Sequence, residues 1–169
     1  CYKKNVPLSI ITNGLLLNRD WMDFLIKQLD RESTVSFSLD ALTQETYEKV
    51  RGAYSLALIE NNIQYMIENR GDQGPRISVN FTYETDNFDE KEIFLEKWKN
   101  RVDAVRISVA LDSDKKVPSI FRKQDIIKEN RVCPYLDEVL VIDAGGEVRI
   151  CSTDTRREED LGNAFEMSL

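Results

Sequence analysis

The sequence predicts an α/β protein in which four parallel strands carry covering helices and a β-hairpin follows. Apolar or alternating runs, each closed by polar residues, lie at 8–12, 35–39, 77–83 and 105–109. Stretches of helical period separate each run from the next. That gives the order β-α-β-α-β-α-β, in which parallel strands are joined by crossovers. Past residue 112 the rhythm changes, and two alternating stretches at 138–142 and 147–151 flank Asp143-Ala144-Gly145-Gly146, a hairpin signal.

The first run, Leu8-Ser9-Ile10-Ile11-Thr12, is short and β-branched and stops at Asn13-Gly14, so it reads as a buried strand ended by a turn. Asn18 can cap a helix from Asp20 to about Glu32, with Trp21, Leu25 and Leu29 as its apolar stripe and Phe24 beside it. In the second strand the alternation puts Val35, Phe37 and Leu39 on one face and Ser36 and Ser38 on the other. Thr43 opens a short helix through Tyr47 and Val50 toward Arg51. Ser55 caps a longer one carrying Leu56, Ile59, Ile63 and Ile67 at helical spacing, ending near Gly71 with Pro75 beyond. The run from Ile77 to Tyr83 alternates cleanly. Asn87 with Glu90 makes a capping box for a helix from Asp89 to Asn100 that buries Phe94, Leu95 and Trp98. Right-handed crossovers would then bring the carboxyl ends of all the strands to one edge. The polar stretch 112–118 reads as a boundary, 119–131 as a helix, and Leu161-Gly162-Asn163 as a turn. The expected division is a sheet domain over 1–112 and a hairpin extension over 113–169.

Composition narrows the function. A hydrophobic fraction of 41% and a charged fraction of 31% over 169 residues are those of an ordinary globular protein. No apolar run approaches the roughly 18–20 residues of a membrane span, and no secretory signal is visible, so a cytoplasmic setting without membrane contact is expected. A net charge of −7 argues against nucleic acid as a partner. The absence of His removes imidazole bases, His–zinc sites and Ser-His-Asp triads. Three cysteines, an odd number, argue against a disulfide framework and for thiols in a reducing compartment.

The residues suited to chemistry are polar groups at strand ends, Asn13, Ser38, Asp40 and Asn80, together with Arg51 before Gly52 and the thiols Cys133 and Cys151 that bracket the hairpin. Each has a plainer use. Asn13 is a turn residue, Ser38 and Asp40 a strand end and helix cap, Arg51 a solvated helix end. Asn80 can satisfy nearby backbone, and the cysteines can be small buried hydrophobes.

In order and spacing, Thr12-Asn13-Gly14, Ser38-Leu39-Asp40-Ala41 with Arg51-Gly52, and Val79-Asn80 resemble strands three to five of the radical S-adenosylmethionine barrel, with 105–109 as the sixth. Cys133, the stretch from Gly146 to Cys151, and Leu161-Gly162-Asn163 resemble the start of the SPASM or twitch extension, so the resemblance covers nearly the whole chain. It implies a partial (β/α) barrel, S-adenosylmethionine and 4Fe–4S clusters as cofactors, and hydrogen abstraction from a peptide or small metabolite through a 5′-deoxyadenosyl radical. Asn13, Ser38, Asp40, Arg51 and Asn80 would then bind the nucleoside cofactor. Arg51 would pair its carboxylate, Ser38 and Asn80 would bond ribose or carboxylate, and Asp40 would orient them. Cys133 and Cys151 would bind an auxiliary cluster. The C-x3-C-x2-C loop and the Gly-Gly-Glu strand of that family are absent. The expectation is therefore an internal fragment of a longer enzyme, inactive and without bound cofactor by itself, whose open sheet edge at 8–12 pairs with another copy. The alternative is a degenerate, non-catalytic α/β module that recognises a peptide or protein.

Overall fold

The four predicted strands form as β1 (Ser9–Thr12), β2 (Thr34–Ser38), β3 (Arg76–Tyr83) and β4 (Ala104–Val109), in an all-parallel sheet of order β1-β2-β3-β4. A computed structural model of the chain describes residues 6–52, 55–110, 139–152 and 161–166. The chain divides into two units, Cys1–Lys123 and Gln124–Leu169. The boundary expected at 112–113, the helix expected over 119–131, Cys133 and Cys1 lie outside the described residues. No helix among the described residues is long and apolar enough to cross a membrane.

Register fixes the two faces of the sheet. The row Thr12–Phe37–Val79–Val105 belongs to one face and the row Ile11–Ser36–Ser78–Ala104 to the other. On the first, Val35, Phe37, Ile77, Val79 and Phe81 are fully buried, as the alternation of β2 predicts. They share one apolar cluster with Met22 of α1 (Arg19–Gln28), Ile59, Ile63 and Met66 of α3 (Leu56–Asn69), and Phe94 and Trp98 of α4 (Lys91–Trp98). Tyr47 of α2 (Gln44–Arg51) joins the same cluster. The second face is polar. It carries Thr34, Ser36 and Ser38 on β2, Arg76, Ser78, Asn80 and Thr82 on β3, and Arg106 and Ser108 on β4. Its outer members Ser9, Ile11, Ala104, Arg106 and Ser108 are exposed, Ile11 at 64%. Parallel sheets are ordinarily covered on both faces by apolar layers; among the described residues such a layer lies on one side of this one.

The helix starts follow local rules. Asn18 Oδ1 accepts from the Trp21 N–H at 2.9 Å, Thr43 Oγ1 from Thr46 N–H at 3.1 Å, and Ser55 Oγ from Leu58 N–H at 3.3 Å. Several expectations need correction. Helix α1 stops at Gln28 rather than near Glu32, because Asp30 Oδ1 takes the N–H groups of Glu32 and Ser33, each at 3.1 Å, and turns the chain. Its inward stripe is Met22 with Leu25, Ile26 and Leu29. Trp21 and Phe24 are 57% and 49% exposed and meet each other edge-on, ring centroids 5.7 Å apart.

The capping box of Asn87 and Glu90 does not form. A 3-10 turn at Phe88–Glu90 leads into α4, and both side chains bond elsewhere. Glu90 accepts from Leu42 N–H at 2.6 Å and Thr46 Oγ1–H at 2.7 Å. The Asn87 amide donates to Asp40 O at 2.8 Å and Thr82 O at 3.0 Å, while its Oδ1 takes Glu84 N–H at 2.7 Å. Asn87 thus ties the turn after β2 to β3, and Glu90 ties the start of α4 to the start of α2.

In the second unit, β5 (Val141–Ile142) and β6 (Val148–Arg149) pair antiparallel around the predicted hairpin turn. Asp143 organises that turn. Its carboxylate accepts from Gly145 N–H at 2.9 Å, Glu147 N–H at 3.1 Å and Arg149 Nη2 at 2.6 Å. Gly146, at φ +86, lies so close to Phe165 that any Cβ would collide with the ring. Leu161-Gly162-Asn163 is not a free turn. Asn163 bridges Glu147 antiparallel, and Val148 N–H donates to Gly162 O at 2.9 Å, so the segment runs beside β6.

The Arg149 guanidinium, aided by the two backbone N–H groups, holds the Asp143 carboxyl at about 2. A carboxyl lowered in the folded state lends stability that is complete above the unfolded value near about pH 4 and is lost as pH falls through the folded one. The Gly145 and Glu147 amide resonances should therefore move together between about pH 4 and about pH 2. Asp143→Asn should abolish that shared titration in NMR spectra; its persistence would assign it to another group.

Candidate functional site

All four parallel strands point their carboxyl ends to one edge, the place where α/β sheets hold ligands. The chain leaves β2 there. Leu39 N–H still donates to Asn80 O at 3.1 Å, and Asp40 then turns away at φ +57, the sole positive φ outside glycine among the described residues. A short polar side chain tolerates that conformation because it bonds locally. Asp40 is only 2% exposed. Its Oδ1 accepts from Thr82 N–H at 2.5 Å, its Oδ2 from the Arg51 guanidinium, and its carbonyl from Asn87.

Arg51 reaches Asp40 because of where α2 places it. It is the last helical residue, four after the buried Tyr47, so the two side chains lie on the same side of the helix. Gly52 at φ +91 ends the helix, its N–H on Glu48 O at 3.0 Å. Beside the ion pair lies a hollow of about 210 Å³ lined by Asp40, Val50, Arg51, Thr82, Glu84 and Ala110. A carboxylate this buried is costly unless paired and hydrogen-bonded, and here both conditions are met.

Ser38 and Asn80 are neighbours in register on the polar face, both half-buried, with Arg106 next in the row. Neither the Ser38 hydroxyl nor the Asn80 amide has a hydrogen-bond partner among the described residues. Asn13 stands apart. It is exposed past β1, its Oδ1 closes a turn on Leu15 N–H at 3.2 Å, and it does not line the hollow. Cys151 is half-buried and follows β6. Among the described residues no three His, Cys, Asp or Glu side chains gather as a metal ion would require.

The structure thus brings Asp40 and Arg51 to one hollow and sets Ser38 beside Asn80. Asn87, which the sequence offers only as half of a capping box, instead holds Asp40 O and Thr82 O through its amide, and no local spacing signals those bonds. The reading of the sequence missed Thr82 and Arg106. Alternation along 105–109 puts Arg106 on the face opposite Val105, Ile107 and Val109, and a charged residue inside a parallel strand was the available signal. No family model, no curated protein and no solved structure matches the chain.

Proposed function

We propose that the chain is part of a radical S-adenosylmethionine enzyme and that the cofactor lies over the carboxyl ends of β2 and β3. The observation that carries this is the unpartnered pair Ser38 and Asn80 on the polar face, each two residues before a residue (Asp40, Thr82) that lines the hollow at the Arg51 guanidinium. The sheet is read as an arc of a (β/α) barrel. Its strand order runs β1-β2-β3-β4 without reversal, its apolar layer lies on one face, and its polar face suits a lumen.

Arg51 has five N–H donors in a planar fork, and Asp40 engages one edge of it. The other donors suit the carboxylate of the cofactor's amino-acid moiety. Ser38 and Asn80 offer donors and acceptors to ribose hydroxyls or to the same carboxylate. Asp40 acts through Arg51 and is a positioning residue. When bound, S-adenosylmethionine supplies the reducible sulfonium with which such enzymes remove hydrogen from a peptide or small metabolite. Iron–sulfur clusters are held mostly by four thiolates. The described residues offer Cys151 alone and contain no ligand set for one.

Titration calorimetry with S-adenosylmethionine tests the proposal without any cluster. Saturable binding is expected, weakened about tenfold or more in Asn80→Ala and in Arg51→Lys, which keeps the charge and loses the fork. Heats that do not saturate, or affinity that neither substitution changes, would leave a non-catalytic binding module as the better account.

A further inference from the structure

Toward the amino ends of the strands, the polar face continues through the rows Ser9–Thr34–Arg76 and Ile11–Ser36–Ser78–Ala104. A cavity of about 220 Å³ opens there, flanked by Arg76 and Arg106. It shares no lining residue with the Asp40–Arg51 hollow. Arg76 lies two residues before Ser78 and Arg106 two after Ala104, and Ser78 pairs with Ala104. The two arginines therefore stand on either side of that row, and both line the cavity. Ala104, with only a methyl group, leaves room between them.

Neither guanidinium forms an ion pair or hydrogen bond among the described residues, although the charge of Arg76 helps to lower the Asp103 carboxyl, in a chain where 30 acidic residues outnumber 23 basic ones. The one carboxylate at the cavity, Asp103, is already engaged by the Arg70 guanidinium and by Ile77 N–H at 2.7 Å. Ser36 Oγ and Ser78 Oγ sit 2.5 Å apart and are buried. One hydroxyl hydrogen joins the two oxygens, and the other is left to donate elsewhere. Thr34 adds a further hydroxyl to the wall.

We infer that this part of the sheet face is a binding site for an oxyanion, the carboxylate or phosphate group of a small molecule, held between Arg76 and Arg106 and bonded by the Ser36–Ser78 hydroxyls. Guanidinium forks match both groups bidentately. The cavity is smaller than the roughly 300 Å³ at which pockets begin to enclose a whole drug-sized ligand, so it takes the charged end of a small acid. The site stands on the sheet face alone, whatever occupies the strand ends.

NMR titration of the whole chain with inorganic phosphate, and separately with succinate, at ionic strength held constant with chloride, tests this. Saturable shifts of the Arg76 and Arg106 Nε–H signals and of the Ser78 and Ala104 amides are expected with one anion or both. Saturation by phosphate alone identifies a phosphate ligand, and by succinate alone a carboxylate. Arg76→Gln and Arg106→Gln should each weaken binding about tenfold, while Arg101→Gln, which stacks on Trp98, should leave it unchanged. Shifts that grow linearly with both anions, or saturable binding that both arginine variants retain in full, would overturn the site. Loss of S-adenosylmethionine binding with anion binding intact would count against the cofactor reading and not against this one.

Discussion

Arg51→Ala is expected to lower the unfolding free energy of the sheet unit by about 3 kcal/mol, the usual scale for stripping a buried charge of its partner. The cost arises at Asp40 rather than at Arg51. Asp40 is 2% exposed, and without the guanidinium its carboxylate keeps only the Thr82 N–H. The Arg51 side chain is 36% exposed, so water entering its place offsets part of the penalty and holds the loss to the lower end of the range. Arg51→Lys keeps a charge within reach and should cost about 1 kcal/mol. Pairing Asp40→Asn with Arg51→Ala should destabilise less than the two single changes added together, because the uncompensated charge is gone. Urea unfolding followed by tryptophan fluorescence measures all of these. Both tryptophans, Trp21 and Trp98, belong to the sheet unit, so the signal reports that unit. A loss under about 1 kcal/mol for Arg51→Ala would mean that Asp40 does not depend on the pair.

Phe81→Ala should cost about 4 kcal/mol, while Thr82→Ala, one residue along β3, should change stability by less than about 0.5 kcal/mol. Phe81 is fully buried and packs against the Phe94 ring at 4.6 Å between centroids, within the cluster that includes Trp98. Truncation removes that contact and leaves a cavity which the surrounding strands and helices close only in part. The Thr82 side chain lies on the polar face, where its hydroxyl meets Ser108 Oγ at 3.2 Å, and its backbone N–H to Asp40 survives the change. Equal losses at the two positions, in the same urea experiment, would contradict the one-sided core.

What could be read in the sequence is what short-range rules decide. Val35, Phe37 and Leu39 alternate with Ser36 and Ser38, so the two faces of β2 were legible before any packing was known. Asn18, Thr43 and Ser55 cap helices through bonds spanning three residues, which sequence spacing shows directly. Asn87 and Glu90 have the same local spacing, yet their partners lie 47 and 48 residues away at Asp40 and Leu42. Nothing local distinguishes those bonds from a cap. The stripe expected on α1 packs inward at Leu25 and Leu29 but not at Trp21. Trp21 and Phe24 are the largest apolar groups on the helix, and size outweighed phase, although Met22, Ile26 and Leu29 follow the helical period. At the site, strand-end polar residues could be picked out, but the union of Asp40 with Arg51 depends on a left-handed turn that an aspartate does not announce. Leu161-Gly162-Asn163 pairs with β6 through backbone groups, which no side-chain pattern encodes.

Among the described residues the apolar layer lies on one side of the sheet, and this has an evolutionary consequence. Apolar and polar side chains alternate along the same strands and lie on opposite faces of the sheet. Variation among the hydroxyls, amides and guanidinium groups of the polar rows therefore leaves the apolar cluster untouched. Such a surface can acquire a new specificity one residue at a time, with the scaffold inherited whole.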